Sequence, residues 1–211
     1  MNKYITIAPL TYRWEETIKK SRFILNISRI ESESDAHNFI NQITKQHHKA
    51  NHNVFAYVLG EKSEIQRYSD NGEPSGTAGV PMLEVIQKNE LRNVVAVITR
   101  YFGGIKLGAG GLIRAYASTT AKGIEQAGLV NRLLQQKITI TIDYKYADSL
   151  IYWLTVNKYT LSEISYDTAV HIIVPIEKDK VTDVRATLTD RFSNQLTFII
   201  GDETFFEIPL K

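Results

Sequence analysis

The 211-residue chain contains no cysteine. That absence excludes disulfides, thiolate zinc sites, iron–sulfur clusters and a cysteine nucleophile, and it fits a reducing compartment. A long apolar run is also missing: the longest aliphatic stretch, Val94-Val95-Ala96-Val97-Ile98, falls far short of the ~20 residues needed to cross a bilayer. No apolar block of the signal-peptide kind lies between Met1 and Glu16, so the expected location is the cytoplasm, with no membrane contact. Neither sign of charge is in excess, because 25 Lys and Arg against 23 Asp and Glu leave a formal charge of +2. Bulk attraction to an acidic partner is therefore excluded, and any basic site must be local.

Glycine is scarce late in the chain. Eleven of the 12 glycines lie between Gly60 and Gly128, and only Gly201 follows. The length suits one large domain or two small ones, and the shift in glycine use favours two. Asn131, Arg132, Gln135 and Gln136 form a polar stretch after Gly128, which places the expected domains at 1–132 and 133–211.

The later part is the more regular. Ile138, Ile140, Ile142 and Tyr144 alternate with polar residues, as in a strand with one buried face. Ala147, Leu150, Ile151 and Leu154 make one apolar helix face. Leu161 to Tyr166 and Val170 to Ile176 suggest a hairpin; Val181, Val184, Leu188 and Phe192 a second helix, with Asp179 as its cap; Leu196 to Ile200 a last strand. The order β-α-β-β-α-β is that of a ferredoxin-like α+β domain. The earlier part is also α+β: Phe23 to Ile27 and Val54 to Leu59 are strand-like, and a helix over Ala36, Phe39, Ile40 and Ile43 is capped by Ser34 or Asp35. Val94 to Thr99 reads as a central strand buried on both faces, and Ala109 or Gly111 to Gln126 as a helix.

Two glycine-rich segments run into predicted helices: Asp70-Asn71-Gly72-Glu73-Pro74-Ser75-Gly76-Thr77-Ala78-Gly79, followed by Pro81, and Arg100-Tyr101-Phe102-Gly103-Gly104-Ile105-Lys106-Leu107-Gly108-Ala109-Gly110-Gly111. A helix start offers unpaired amides and the positive end of the dipole, and glycine lets a ligand approach them. The expectation is an anion site to which Arg100, Lys106 and Arg114 add charge. The competing reading is that these glycines only solve tight turns and close packing. Tyr101 and Phe102 have two readings as well, a stacking surface for single-stranded RNA or plain core.

Familiar catalytic templates fail. Gly103 and Gly108 have P-loop spacing, but Ala109 stands where lysine is required; Gly108-Ala109-Gly110 is followed by Ile113 where a dinucleotide fingerprint needs glycine. The Gly72-Glu73-Pro74-Ser75-Gly76 run lacks G-x-S-x-G spacing, so a serine triad would need Ser75, His52 and Asp70 to meet through folding alone. His48 and His52 are four apart, but Asn51 and Asn53 mark a turn rather than a metal-binding helix face. Glu73 is placed either to act as a general base beside the hydroxyls of Ser75 and Thr77 or to hold a turn. No metal and no cofactor is expected.

Asp70 through Leu83 and Thr99 through Tyr116, with His52-Asn53 upstream, closely resemble the signature of the IMPACT family, in its bacterial YigZ-type branch. Asn71 departs from that pattern, where many members carry a second aspartate. The resemblance implies an N-terminal domain like domain 2 of ribosomal protein S5 and domain IV of elongation factor G, and a ferredoxin-like C-terminal domain like domain V of that factor. Eukaryotic members restrain a kinase of translation initiation factor 2 by binding its activator, a pathway bacteria lack. A proline-dipeptidase activity has been attached to some bacterial members, but it needs a carboxylate and histidine metal cluster, and the candidates here are scattered singly.

The expected function is a non-enzymatic, cytoplasmic binding or regulatory protein linked to translation, contacting RNA or ribosomal phosphates. Its expected binding set is Asp70, Glu73, Ser75, Gly76 and Thr77 from the first segment, with Arg100, Tyr101, Gly103, Gly104, Lys106, Gly108, Gly110, Gly111 and Arg114 from the second. The alternative is an enzyme acting on a phosphorylated or acyl small molecule with Glu73 as acid or base. A protein partner on the exposed face of the C-terminal sheet is a third reading, and the sequence leaves the oligomeric state open.

Overall fold

The computed structural model describes residues 3–60 and 62–210. The chain folds as two compact units, one of Lys3–Asn131 together with the chain end from Ile208 onward, the other of Arg132–Glu207. Both mix helices with sheet.

The first unit runs β1 (Lys3–Ile7), β2 (Thr11–Ile18), β3 (Ser21–Arg29), α1 (Glu33–Gln46), β4 (His52–Leu59), β5 (Ile65–Ser69), α2 (Gly79–Lys88), β6 (Val94–Tyr101) and α3 (Ala109–Ala127). Its five-stranded sheet has the order β2-β3-β6-β4-β5, with β6 central and antiparallel to both neighbours. The apolar run of β6 divides between two cores. Val94, Ala96 and Ile98 pack with Phe23, Leu25, Met82 and Leu112 beneath α2 and α3, whereas Val95 and Val97 pack with Ala36, Ile40 and Ile43 of α1. A strand covered on both faces has no use for polar alternation.

Helix α1 is capped by Ser32, not by Ser34 or Asp35. The Ser32 hydroxyl accepts from the Asp35 amide, and the Asp35 carboxylate in turn accepts from the Glu31 amide. Starting there turns Ala36, Ile40 and Ile43 toward the sheet. The two-residue connection between β2 and β3 places Lys19 at φ 45 and Lys20 at φ 66. Left-handed backbone at both positions is the signature of a type I′ hairpin turn, a place usually taken by Asn-Gly.

The second unit contains β7 (Leu129–Ile142), α4 (Tyr144–Val156), β8 (Glu163–Tyr166), β9 (Val170–Glu177), α5 (Val181–Arg191) and β10 (Leu196–Pro209), and both β7 and β10 run on past its limits. This is the β-α-β-β-α-β order. Strand β10 pairs with β7, β7 with β9 and β9 with β8, and the helices cover one face through Leu150, Leu154, Val184 and Leu188. The polar stretch at 131–136, where the boundary was expected, lies inside strand β7. One local expectation is corrected. Asp179 does not cap α5; Lys178–Lys180 form a 3₁₀ turn that passes straight into the helix, whose cap position is Lys180.

Candidate functional site

At one end of the first unit's sheet, β6 finishes, β3 and β4 begin, and α2 and α3 start. The two glycine-rich segments meet there. A cavity of about 460 Å³ is lined by Glu73 and Pro74 from the first segment and by Arg100, Phe102 and Lys106–Ala109 from the second, with Asn51, His52 and Leu112.

The two helix starts differ. At α2 the protein's own Asp70 carboxylate sits at the helix start, accepting from the amides of Gly76 at 2.8 Å, Ala78 at 3.0 Å and Gly79 at 2.8 Å. Of the two helix starts expected to form an anion site, the α2 start thus carries an acceptor from the chain itself. A carboxylate eight and nine residues upstream supplies the negative charge that the helix dipole favours. At α3 the cap is Gly108, with φ 72 and no side-chain bond. The first helical amides have no acceptor within the helix, and among the described residues no side chain caps them. Gly108 has open space around the position a Cβ would take, and its left-handed backbone is one that only glycine adopts cheaply.

Glu73 is buried beside this opening. Its Oε1 accepts from Arg100 Nη1 at 2.7 Å and from the Tyr116 hydroxyl at 2.8 Å, and its Oε2 lies 3.8 Å from His52 Nε2. His52 Nδ1 donates to the Asn71 carbonyl at 2.8 Å, which orients the ring with Nε2 toward Glu73. Arg100 is also buried, only 5% exposed; its Nη2 donates to the Ser21 hydroxyl, and its guanidinium stacks over Phe23 and Phe102. Burial, and then the Glu73 carboxylate, push the Tyr116 hydroxyl far above its ordinary range, so it remains a donor. Arg100 is therefore a partner of Glu73 and not a free cation, while Lys106 is exposed at the rim of the cavity.

The remaining residues of the expected set separate by position. Thr77 is buried with its hydroxyl donating to the Pro74 carbonyl, whereas Ser75 is exposed and outside the cavity lining. Tyr101 is half-buried and meets His47 Nδ1 at 3.0 Å; Phe102, 46% exposed, lines the cavity. Gly103 packs so closely on the β2–β3 turn that a Cβ there would overlap the main chain of Lys20, while Gly104 is open. Gly110, Gly111 and Arg114 belong to the first turns of α3, with Arg114 exposed. The departure at Asn71 has a structural use: its side-chain oxygen accepts from the Asn53 amide at 2.7 Å, tying the first loop to β4.

Ser21 and the Lys19–Lys20 turn carry no sequence signal for this site, and His52 and Tyr116, although they fall within the signature residues, are absent from the expected binding set. Among the described residues, no group of three or more His, Cys, Asp or Glu is placed to hold a metal ion, and no helix is long and apolar enough to cross a membrane.

Comparison with known proteins gives a consistent picture. The family model of the Impact N-terminal domain matches residues 19–124, and that of a domain of unknown function matches residues 140–195. The IMPACT family member YvyE of Bacillus subtilis is 42% identical over 193 residues, 92% of this chain and 89% of the relative. The IMPACT family member YigZ of Escherichia coli is 30% identical over 201 residues, 94% of this chain and 98% of the relative. A crystal structure of a hypothetical protein superposes with a TM-score of 0.62 at 28% identity, covering 96% of this chain and 98% of that one.

Proposed function

The chain belongs to the IMPACT family, and from its site we propose that it is a cytoplasmic, translation-linked regulator that binds RNA or ribosomal phosphate at the start of α3. One observation carries this reading. The first turn of α3 is uncapped and opens onto a cavity whose rim bears the exposed Lys106, while the carboxylate that lines the cavity, Glu73, is held by Arg100 and Tyr116. An incoming anion there meets amides, a helix dipole and a lysine. The link to translation follows from the role that the family resemblance implies.

The test is RNA binding across a salt series. The wild-type chain is expected to bind single-stranded RNA or ribosomes with an affinity that falls steeply with salt. Lys106→Ala and Arg114→Ala should each weaken binding and flatten the salt slope, by about 0.7 for every phosphate of a single strand left unneutralised. No binding at low salt would end this reading. A second reading has support from the His52–Glu73 pair, whose 3.8 Å separation faces the same cavity. An enzyme acting on a phosphorylated or acyl small molecule would lose turnover in Glu73→Gln while still binding its substrate.

A further inference from the structure

The β2–β3 turn is a charged surface that the site's own chemistry does not explain. Lys19 and Lys20 are exposed, both in left-handed backbone, and neither has an ion-pair or hydrogen-bond partner among the described residues. A left-handed conformation costs a non-glycine residue roughly 1–2 kcal/mol. Asn-Gly would close this turn at lower cost, so stability alone does not call for two lysines there.

The turn is fixed to the cavity loop. Gly103 packs against the main chain of Lys20, and the Ser21 hydroxyl accepts from both the Gly103 amide and Arg100 Nη2 at 3.2 Å. Lys106 follows Gly103 by three residues, a separation of at most about 10 Å along the chain. Lys49 lies on the α1–β4 connection at the same end of the sheet, since Asn51 and His52, two and three residues further on, bond to Phe102 and pair with Arg100 respectively. The acidic groups nearby are engaged: Glu15 by Arg13 and Arg22, Glu73 by Arg100, and Asp70 by three amides. Burial, helped by Arg13 and Arg22, lowers His47, so that imidazole adds no charge near neutrality. The result is a cationic ridge on a chain whose total charge is only +2.

We propose that the Lys19–Lys20 turn is a second phosphate contact, so that a single RNA strand runs from the start of α3, past Lys106 and over the Gly103 loop, to this turn. The ligand is then a run of several nucleotides and not a lone phosphate or mononucleotide. This deepens the RNA-binding reading above and rests on it.

The test uses a fluorescent single-stranded RNA of about 12 nucleotides, the full-length chain, and the double variant Lys19→Asn/Lys20→Gly. That variant removes both charges while giving the turn the residues its backbone prefers, so its melting temperature should not fall. RNA affinity near 100 mM salt should drop by about tenfold or more, and the salt slope by about 1.4, the value for two phosphates. Lys19→Arg/Lys20→Arg should retain binding, as should Lys88→Ala at the far end of α2. Adenosine monophosphate should compete poorly. If the wild type binds RNA but Asn-Gly at the turn changes neither affinity nor slope, this inference is overturned while the α3 site stands. If polyglutamate displaces RNA at equal charge concentration, the ridge serves an acidic protein and the RNA assignment is overturned. Absence of RNA binding by the wild type at low salt removes both readings.

Discussion

At the scale of single residues, the site is held by groups that are largely buried. Glu73, Arg100 and Tyr116 form one buried unit, and removing one partner of such an ion pair typically costs about 3–5 kcal/mol, because the other charge is left without compensation. Their separations in sequence, 27 residues between Glu73 and Arg100 and 43 between Glu73 and Tyr116, explain why the constellation was invisible there. The glycines around it were legible, but what they lie beside was not. Tyr57 offers a cleaner handle on titration. Its hydroxyl donates to Glu33 at 2.7 Å, and burial, then that partner, push it up to about 12. In the unfolded chain a tyrosine titrates near ~10. Below about pH 10 both states keep the proton and the contribution is fully present; between about 10 and 12 the unfolded state ionises first, so stability falls as pH rises. Urea midpoints measured across that window should decline less in Tyr57→Phe than in the wild type.

At the scale of elements, the close approach of loop and hairpin gives a sharp expectation. Gly103→Ala should lower stability by about 1–3 kcal/mol in urea unfolding, because the added carbon would overlap the Lys20 main chain. The same variant should weaken RNA binding, since the turn and the loop could no longer keep their present spacing. Elements with strong patterning were plain in the sequence. Strand β6 announced itself through five consecutive aliphatic residues, and the C-terminal unit through clean alternation. Strands β1, β2 and β5 did not. In β2, Tyr12, Trp14 and Ile18 pack inward and alternate with the exposed Thr11, Arg13 and Thr17, but Glu16 takes an inward place, where it meets Thr119 and Lys122, and that charge breaks the apolar pattern. The β2–β3 turn was hidden for a related reason: two lysines carry none of the chemistry by which a type I′ turn is ordinarily recognised. The cap of α1 was missed by two residues, because Ser32, Ser34 and Asp35 are all competent caps and only the placement of Ala36, Ile40 and Ile43 decides among them.

At the scale of the molecule, two units share a chain that passes between them twice, in β7 and in β10. The chain end belongs to the first unit, where the Leu210 amide donates to the Leu129 carbonyl at 2.9 Å. Truncation before Ile208 should therefore lower the melting temperature, by roughly 2–4 °C for each kcal/mol of stabilisation removed; an unchanged melting curve would mean that this end carries no stability. The gathering at one end of the first unit of lysines without an ion-pair partner among the described residues, with its carboxylates neutralised in place, has a kinetic consequence. A body of nearly balanced total charge still orients in a field when its charge is lopsided, so diffusive encounters with a polyanion would be biased toward productive, end-on collisions. Ionic strength would then act mainly on how fast the complex forms, and far less on how long it lasts.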